Sequence, residues 1–168
     1  MADEPETALG EMLAARRLTL AVAESCTGGL LGQRITSVSG SSRYFLGGII
    51  SYSNSAKIQQ LGVDPVTLEC KGAVSAETAS QMARGACKMF GADLGVSITG
   101  IAGPEGGSVE KPVGLVFVGA SHGDRCEVGE YHFDGGREEI RMQASQAALE
   151  LISRYLLSGK ARFSYLPT

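Results

Sequence analysis

A strand that runs through a glycine-containing turn into a helix is the feature that most limits how this chain can fold. Residues 18–22 are apolar enough to predict a strand, and residues 30–35 have the spacing of a helix. Between them lies Ala23-Glu24-Ser25-Cys26-Thr27-Gly28-Gly29. Such a turn exposes backbone N–H groups at a helix N-terminus, where a phosphate or an oxyanion is favoured. It also suits a nucleophile such as Ser25, although a plain turn capped by Ser or Thr fits the same residues.

Strand-like and helix-like segments alternate over most of the remaining chain. Helices are predicted at 6–17, 30–38, 54–62, from 65 for a short turn, at 75–90 and from 137 onward. Strands are predicted at 18–23, 44–52, 94–98, 113–120 and 126–133, the last two joined by a hairpin turn at 121–124. Early alternation followed by a late hairpin predicts a single three-layer α/β/α domain with a mixed sheet. We expect this domain to span 1–168, with a core at about 7–157 and a loosely ordered tail at 158–168.

Three unusual segments follow predicted strands. They are the turn at 23–29, the segment at 52–57 and the glycine-rich loop at 99–107. In an open sheet, ligands bind beyond the carboxyl ends of the parallel strands. The sequence therefore predicts that these segments share one pocket.

Composition excludes several classes of function. A net charge of -3 and the lack of a basic stripe argue against nucleic-acid binding. No apolar run is long enough to cross a bilayer, and the acidic N-terminus is unlike a signal peptide, so we expect a cytoplasmic protein that binds no membrane. The four cysteines are widely spaced and predict free thiols.

Histidine and metal chemistry are poorly supported. Cys26 lies in the candidate turn, but a cysteine nucleophile needs a histidine base, and only His122 and His132 exist, both in the predicted hairpin. No spacing of His, Cys, Asp or Glu resembles a metal site. We expect chemistry that needs neither a metal nor a cofactor.

A serine activated by a lysine fits the remaining polar residues. A lysine whose pKa is lowered by burial can act as the base, and a tyrosine can position or relay the proton. Lys57 and Tyr52 supply these groups, although a solvated lysine and a packing tyrosine are the ordinary interpretations of such positions. Backbone N–H groups of the glycine loops would form an oxyanion hole.

The motifs of this chain, taken together, resemble one protein family. They are Ala23-Glu24-Ser25-Cys26-Thr27-Gly28-Gly29, Gly40-Ser41-Ser42, Tyr52-Ser53-Asn54 with Ala56-Lys57, Gly72-Ala73-Val74-Ser75, and Thr99-Gly100-Ile101-Ala102-Gly103-Pro104 with Lys111-Pro112-Val113-Gly114. In this order they resemble the C-terminal domain of the competence/damage-inducible CinA proteins, from about residue 7 to 155. Stand-alone members of that family are nicotinamide-nucleotide amidases.

The resemblance implies hydrolysis of nicotinamide mononucleotide to nicotinic acid mononucleotide and ammonia, in pyridine-nucleotide salvage. It also implies a metal-independent Ser/Lys mechanism and a homodimer. Many relatives carry a further N-terminal molybdopterin-binding-like domain, for which 168 residues leave no room, so the pyrophosphatase activity linked to that domain is not expected.

The site residues follow from the motifs and the resemblance together. The catalytic candidates are Ser42, Lys57, Tyr52, Ser25 and Thr99. Glu24, Thr27, Gly28, Gly29, Gly100 and Arg141 are the candidates for substrate binding. If phosphate occupies the first turn, Ser42 is the preferred nucleophile, and Ser25 is the alternative. Arg137 and Arg141 could each reach the substrate, or pair with Glu138 or Glu139 instead.

Two other functions fit the same residues. A non-catalytic nucleotide-binding or interaction module linked to competence would keep the glycine turn without needing an activated lysine. A hydrolase of another small amide or ester would keep the serine and the lysine but not the preference for a phosphorylated substrate.

Overall fold

The computed structural model describes residues 4–158. Its helices are α1 (Pro5–Arg16), α2 (Leu30–Thr36), α3 (Asn54–Leu61), α4 (Pro65–Lys71), α5 (Ala76–Phe90) and α6 (Arg137–Leu157). Its strands are β1 (Leu20–Glu24), β2 (Phe45–Ile50), β3 (Leu94–Gly100), β4 (Leu115–His122) and β5 (Arg125–His132), and a single 3₁₀ turn precedes β2 at Ser41–Arg43. No helix within these residues is long and apolar enough to cross a membrane.

The five strands form one mixed sheet in the order β2-β1-β3-β4-β5. Strand β1 pairs in parallel with β2 and with β3, whereas β4 and β5 continue the sheet in antiparallel orientation. The parallel register aligns Glu24 with Ile50 on one side and with Ile98 on the other. The carboxyl ends of β1, β2 and β3 therefore meet at one edge of the sheet.

Helices cover both faces of the sheet because successive residues of β1 point to opposite faces. Leu20 and Val22 belong to a core shared with α1, α2 and α6, and Ala21 and Ala23 belong to a second core with α3, α4 and α5. Small side chains on the second face let α5 pack closely: a Cβ on Gly95 would lie 2.1 Å from the Ala83 carbonyl oxygen.

The predicted fold class is confirmed: residues 4–158 form an α/β fold, with six helices and a mixed five-stranded sheet in three layers. Predicted and observed element bounds differ by one or two residues at most ends. Strand β1, for example, begins at Leu20 and not at residue 18, because the chain just before it ends α1 through Arg17 in the left-handed conformation. The predicted tail from 158 lies, apart from Ser158, outside the described residues.

Candidate active site

The three unusual segments converge at the carboxyl ends of β1, β2 and β3, as the sequence predicted. They enclose a cavity of about 280 Å³, which suits a small ligand. Its lining residues are Ser25, Cys26, Tyr52, Asn54, Lys57, Ala73, Val74, Thr99, Gly100, Ile101, Ala102, Gly103, Glu105, Gly106 and Arg137.

Ser25 stands where β1 ends and the turn begins. Its N–H still donates to the Ile98 carbonyl in the manner of the parallel ladder, at 3.0 Å, and its own carbonyl accepts from the Gly28 N–H at 3.1 Å. Gly28 and Gly29 have φ of 59° and 105°, values that residues with a Cβ rarely adopt, so the glycines allow the chain to reverse here. The Ser25 backbone is thus held on both sides while its side chain lines the cavity.

Lys57 is almost fully buried, as a lysine base requires, although a lysine on a short helix is ordinarily solvated. Only 1% of it is exposed, and Ser53 caps α3 so that Lys57 lies on the inward face of its first turn. Its Nζ lies 3.0 Å from Ser25 Oγ and 2.7 Å from the Ser51 carbonyl oxygen. It makes no salt bridge within residues 4–158. Burial therefore lowers the pKa of the amine from its ordinary value.

The Ser25–Lys57 contact fits a nucleophile and its base. When Lys57 is charged, its ammonium donates to Ser25 Oγ; when it is neutral, the serine hydroxyl can donate to the nitrogen lone pair over the same distance. A lowered pKa increases the neutral fraction of the amine near neutral pH. The pair can therefore generate a serine nucleophile without a histidine.

Cys26 contributes a backbone group rather than a thiolate. Burial raises the pKa of its thiol to about 11, so the thiol stays protonated and is a poor nucleophile. Neither His122 nor His132 lines the cavity, and His132 contacts Glu130 on β5 instead. The Cys26 N–H donates to no acceptor in the described part of the chain. If Ser25 acts as a nucleophile, this N–H lies where an oxyanion-hole donor is expected, directly after it in the chain.

Tyr52 and Arg137 meet at the mouth of the cavity. Arg137, the first residue of α6, donates to the Tyr52 hydroxyl and to the Gly103 carbonyl, both at 2.9 Å. Tyr52 is 61% exposed, and no hydrogen bond joins it to Lys57 in residues 4–158. The tyrosine therefore forms the entrance together with Arg137 and is not in direct contact with the lysine, as the proposed proton relay would require.

Thr99 and Gly100 form the wall contributed by β3. The Thr99 hydroxyl donates to the Ala73 carbonyl at 2.7 Å, which ties β3 to the segment before α5. A Cβ on Gly100 would lie 2.8 Å from the Leu115 carbonyl oxygen, so β4 leaves no space for a side chain. This wall is consequently fixed by close packing.

Ser42 does not lie at this site. It belongs to the 3₁₀ turn before β2, is exposed, and is absent from the cavity lining. Because β2 runs parallel to β1, the residues before β2 lie at the opposite edge of the sheet from Ser25. The structure therefore does not place Ser42 beside Lys57, as the predicted preference for Ser42 requires; of the two serines, Ser25 is the one that contacts Lys57.

The anion expected at the first turn is the protein's own carboxylate. Glu24 is 2% exposed; its Oε1 accepts from Thr27 Oγ1 at 2.7 Å and from the Leu31 N–H at 2.9 Å, and its Oε2 accepts from the Gly32 N–H at 3.0 Å. The N–H groups of Leu30 and Gln33 donate to backbone carbonyls. All four initial donors of α2 are thus satisfied, which leaves no free phosphate site.

This arrangement corrects most of the predicted substrate-binding residues. Glu24, Thr27, Gly28 and Gly29 build the turn and do not line the cavity, whereas Gly100 does. Arg141 donates to the Cys26 and Thr27 carbonyls, at 3.2 and 2.8 Å, and to Glu138. Arg141 therefore holds the carbonyls of the Ser25 turn and does not line the cavity.

Three contributors were not assigned from sequence. The Ser51 carbonyl orients Lys57, and Asn54 and Glu105 line the cavity. Asn54 and Glu105 both lie within the segments predicted to converge, which was the available signal. A backbone carbonyl such as that of Ser51 has no signal in the side-chain sequence.

Comparison with known proteins identifies the family. A family profile described as the CinA C-terminal domain matches residues 2–156. The chain therefore belongs to the CinA C-terminal domain family. A CinA-like protein of Geotalea daltonii is 56% identical over 140 residues, which are 83% of this chain but 34% of that protein. The chain thus spans about a third of the length of this relative.

Solved structures agree with this assignment. The competence/damage-inducible protein CihA from Agrobacterium tumefaciens is 39% identical with a TM-score of 0.84, covering 92% of this chain and 97% of that one. A CinA superfamily protein from Klebsiella pneumoniae is 31% identical with a TM-score of 0.89, covering 92% and 96%. These names refer to competence and damage and state no reaction.

Proposed function

We propose that this domain hydrolyses the carboxamide of nicotinamide mononucleotide to nicotinic acid mononucleotide and ammonia. The observation that carries the proposal is the 3.0 Å contact between Lys57 Nζ and Ser25 Oγ inside a small cavity. Amide hydrolysis needs a nucleophile, a base and an oxyanion donor, and Ser25, Lys57 and the Cys26 N–H can supply them. The phosphorylated substrate follows from the family resemblance.

In the first half-reaction, Ser25 Oγ attacks the carboxamide carbon while neutral Lys57 takes the hydroxyl proton. The carbonyl oxygen becomes an oxyanion facing the Cys26 N–H. Collapse breaks the C–N bond, and the Lys57 ammonium returns its proton to the leaving nitrogen, which departs as ammonia. In the second half, Lys57 deprotonates a water molecule, which attacks the acyl carbon. The ester C–O bond to Ser25 breaks, the Lys57 ammonium returns the proton to Ser25 Oγ, and the acid is released.

Arg137 is the cavity residue best placed to receive the substrate's phosphate. Its two hydrogen bonds within residues 4–158 go to neutral oxygens, so no carboxylate among these residues neutralises its positive charge. The helix α2 cannot take this role because Glu24 already occupies its N-terminus. We therefore assign the phosphate to the mouth of the cavity, beside Tyr52.

The test is ammonia release from nicotinamide mononucleotide by purified, chelator-treated protein, with Ser25→Ala beside the matched control Ser42→Ala. We expect Ser25→Ala to abolish turnover and Ser42→Ala to stay within about twofold of the wild type, because Ser42 lies at the opposite edge of the sheet. Hydroxylamine added to the wild type should divert product to the hydroxamate, since it intercepts an acyl-enzyme.

Other outcomes would change the assignment. Loss of turnover in Ser42→Ala with activity retained in Ser25→Ala would overturn the assignment of Ser25 as the nucleophile. Equal rates on free nicotinamide would overturn the phosphate subsite and favour a general amidase. Tight binding of the nucleotide by a wild type that releases no ammonia would favour a nucleotide-binding module.

A further inference from the structure

The cavity mouth carries two opposite charges that do not neutralise each other. Arg137 lines it from the start of α6, and Glu105 lines it from the loop after β3. Within residues 4–158 neither side chain takes part in a salt bridge. The Glu105 side chain is exposed and makes no hydrogen bond within the same residues. Both charges are therefore available to a ligand.

Two hydrogen bonds hold the Arg137 side chain in place. Its guanidinium is committed to the Gly103 carbonyl and the Tyr52 hydroxyl, which fixes its head against the base of the loop. Glu105 follows two residues later, after Pro104, and faces the same cavity. A cavity with a fixed cation and a separate carboxylate is complementary to a ligand that itself carries both signs of charge.

The substrate proposed above has that character. Its pyridinium ring is positive and bears the carboxamide directly, and its phosphate is negative. With the phosphate at Arg137 and the carboxamide at Ser25, the ring occupies the same cavity that Glu105 lines. The product keeps the ring but gains a second anionic group, which the Glu105 carboxylate would repel.

We propose that Glu105 is a specificity-determining residue that favours amides carried on a cationic ring over neutral or anionic ones. The inference rests on the proposed amidase function. It adds a charge preference that the Ser25–Lys57 pair cannot provide, because that pair acts on the carboxamide alone.

The decisive experiment compares oxidised and reduced nicotinamide mononucleotide as substrates. Both carry the carboxamide, ribose and phosphate, but the reduced ring is uncharged. Their intrinsic reactivities differ, so the measured quantity is the ratio of kcat/KM values in the wild type divided by that ratio in Glu105→Gln. We expect this double ratio to be about threefold in favour of the oxidised substrate, the scale of an exposed charge interaction.

Two matched variants isolate the effect. Glu110→Gln removes an exposed carboxylate from the same loop outside the cavity lining, and its double ratio should stay near one. Arg137→Gln should slow both substrates alike, because both have the phosphate. The Glu105 effect should also shrink at high salt, as expected for an exposed charge.

The outcomes separate this inference from the function on which it rests. Wild-type turnover with a double ratio of one for Glu105→Gln overturns the charge preference and leaves the amidase intact. An equally large double ratio in Glu110→Gln also overturns the charge preference, because the effect would then come from the overall negative charge of the loop and not from Glu105. No turnover of the oxidised substrate by the wild type overturns both.

Discussion

Replacing Lys57 with methionine tests whether the buried amine is held in its neutral form. Methionine keeps most of the apolar length of the side chain and removes the nitrogen that contacts Ser25 and Ser51. Burial lowers the pKa of Lys57 in the folded protein below its ordinary value of 10.5. Between these two values the unfolded chain binds a proton that the folded protein does not, so wild-type stability rises with pH over that window.

The magnitude follows from linkage and the size of the domain. Each unit by which burial lowers the pKa adds about 1.4 kcal/mol to the change in unfolding free energy across the window. For a domain of this length, that corresponds to a shift in Tm of about 3 to 6 °C per unit. Lys57→Met also leaves the buried Ser51 carbonyl without a donor, at a cost of about 1–3 kcal/mol that is independent of pH.

The assay is thermal unfolding of the wild type and Lys57→Met at half-unit steps from pH 6 to 10.5. We expect the Tm of the wild type to rise relative to that of Lys57→Met as the pH increases. Lys88→Met, which removes an exposed lysine, should track the wild type throughout. The quantity to follow is the Tm of the wild type minus the Tm of Lys57→Met. If this difference stays constant or falls as the pH increases, the pKa of Lys57 is not lowered, because it rises only if the folded protein loses the proton at a lower pH than the unfolded chain.

Three further predictions concern Lys57, Glu24 and Arg141. The kcat/KM of the wild type should rise with pH to a plateau, with a midpoint below 10.5, because the neutral amine is the base; a profile that falls as the pH rises through this range would contradict that role. Glu24→Gln should lower the free energy of unfolding by about 1–3 kcal/mol in a denaturant titration, since it weakens the acceptors for two buried donors and one part-buried donor; an unchanged midpoint would show that the α2 cap is not needed. Arg141→Gln should lower kcat more than it raises KM, because Arg141 holds the carbonyls of the Ser25 turn and does not line the cavity; a change confined to KM would instead indicate substrate contact.

The fold was accessible from the sequence because its elements carry strong local signals. Ser53, Asp64 and Ser75 cap α3, α4 and α5 with their side chains, as residues that favour helix starts do, and the hairpin between β4 and β5 is marked by a turn containing Gly123. The convergence of three loops also follows from parallel strands alone. These features depend on neighbours in the chain or on general rules of sheet topology.

The errors in the site arose where the answer depended on long-range geometry. Ser42 and Ser25 both precede or follow a strand within small-residue loops, and only the direction of pairing places them at opposite edges. Arg137 and Arg141 are four residues apart on one helix face, yet one turn of α6 separates the cavity mouth from the back of the Ser25 turn. Residue type and spacing do not contain that distinction.

The position of Glu24 affects both the protonation of Lys57 and the place where a substrate anion could bind. Alternation along β1 sends its carboxylate toward α2 and sends the next side chain, Ser25, toward α3. A carboxylate beside Lys57 would stabilise the ammonium and oppose the lowering of its pKa by burial. Because Glu24 is bound to the start of α2, Lys57 has no acidic partner in the described residues. The positive end of the α2 dipole is likewise occupied by the Glu24 carboxylate and not by a ligand. The positive charge left for a substrate anion is then that of Arg137, which lines the same cavity as Ser25, so the proposed phosphate and carboxamide subsites would share that cavity.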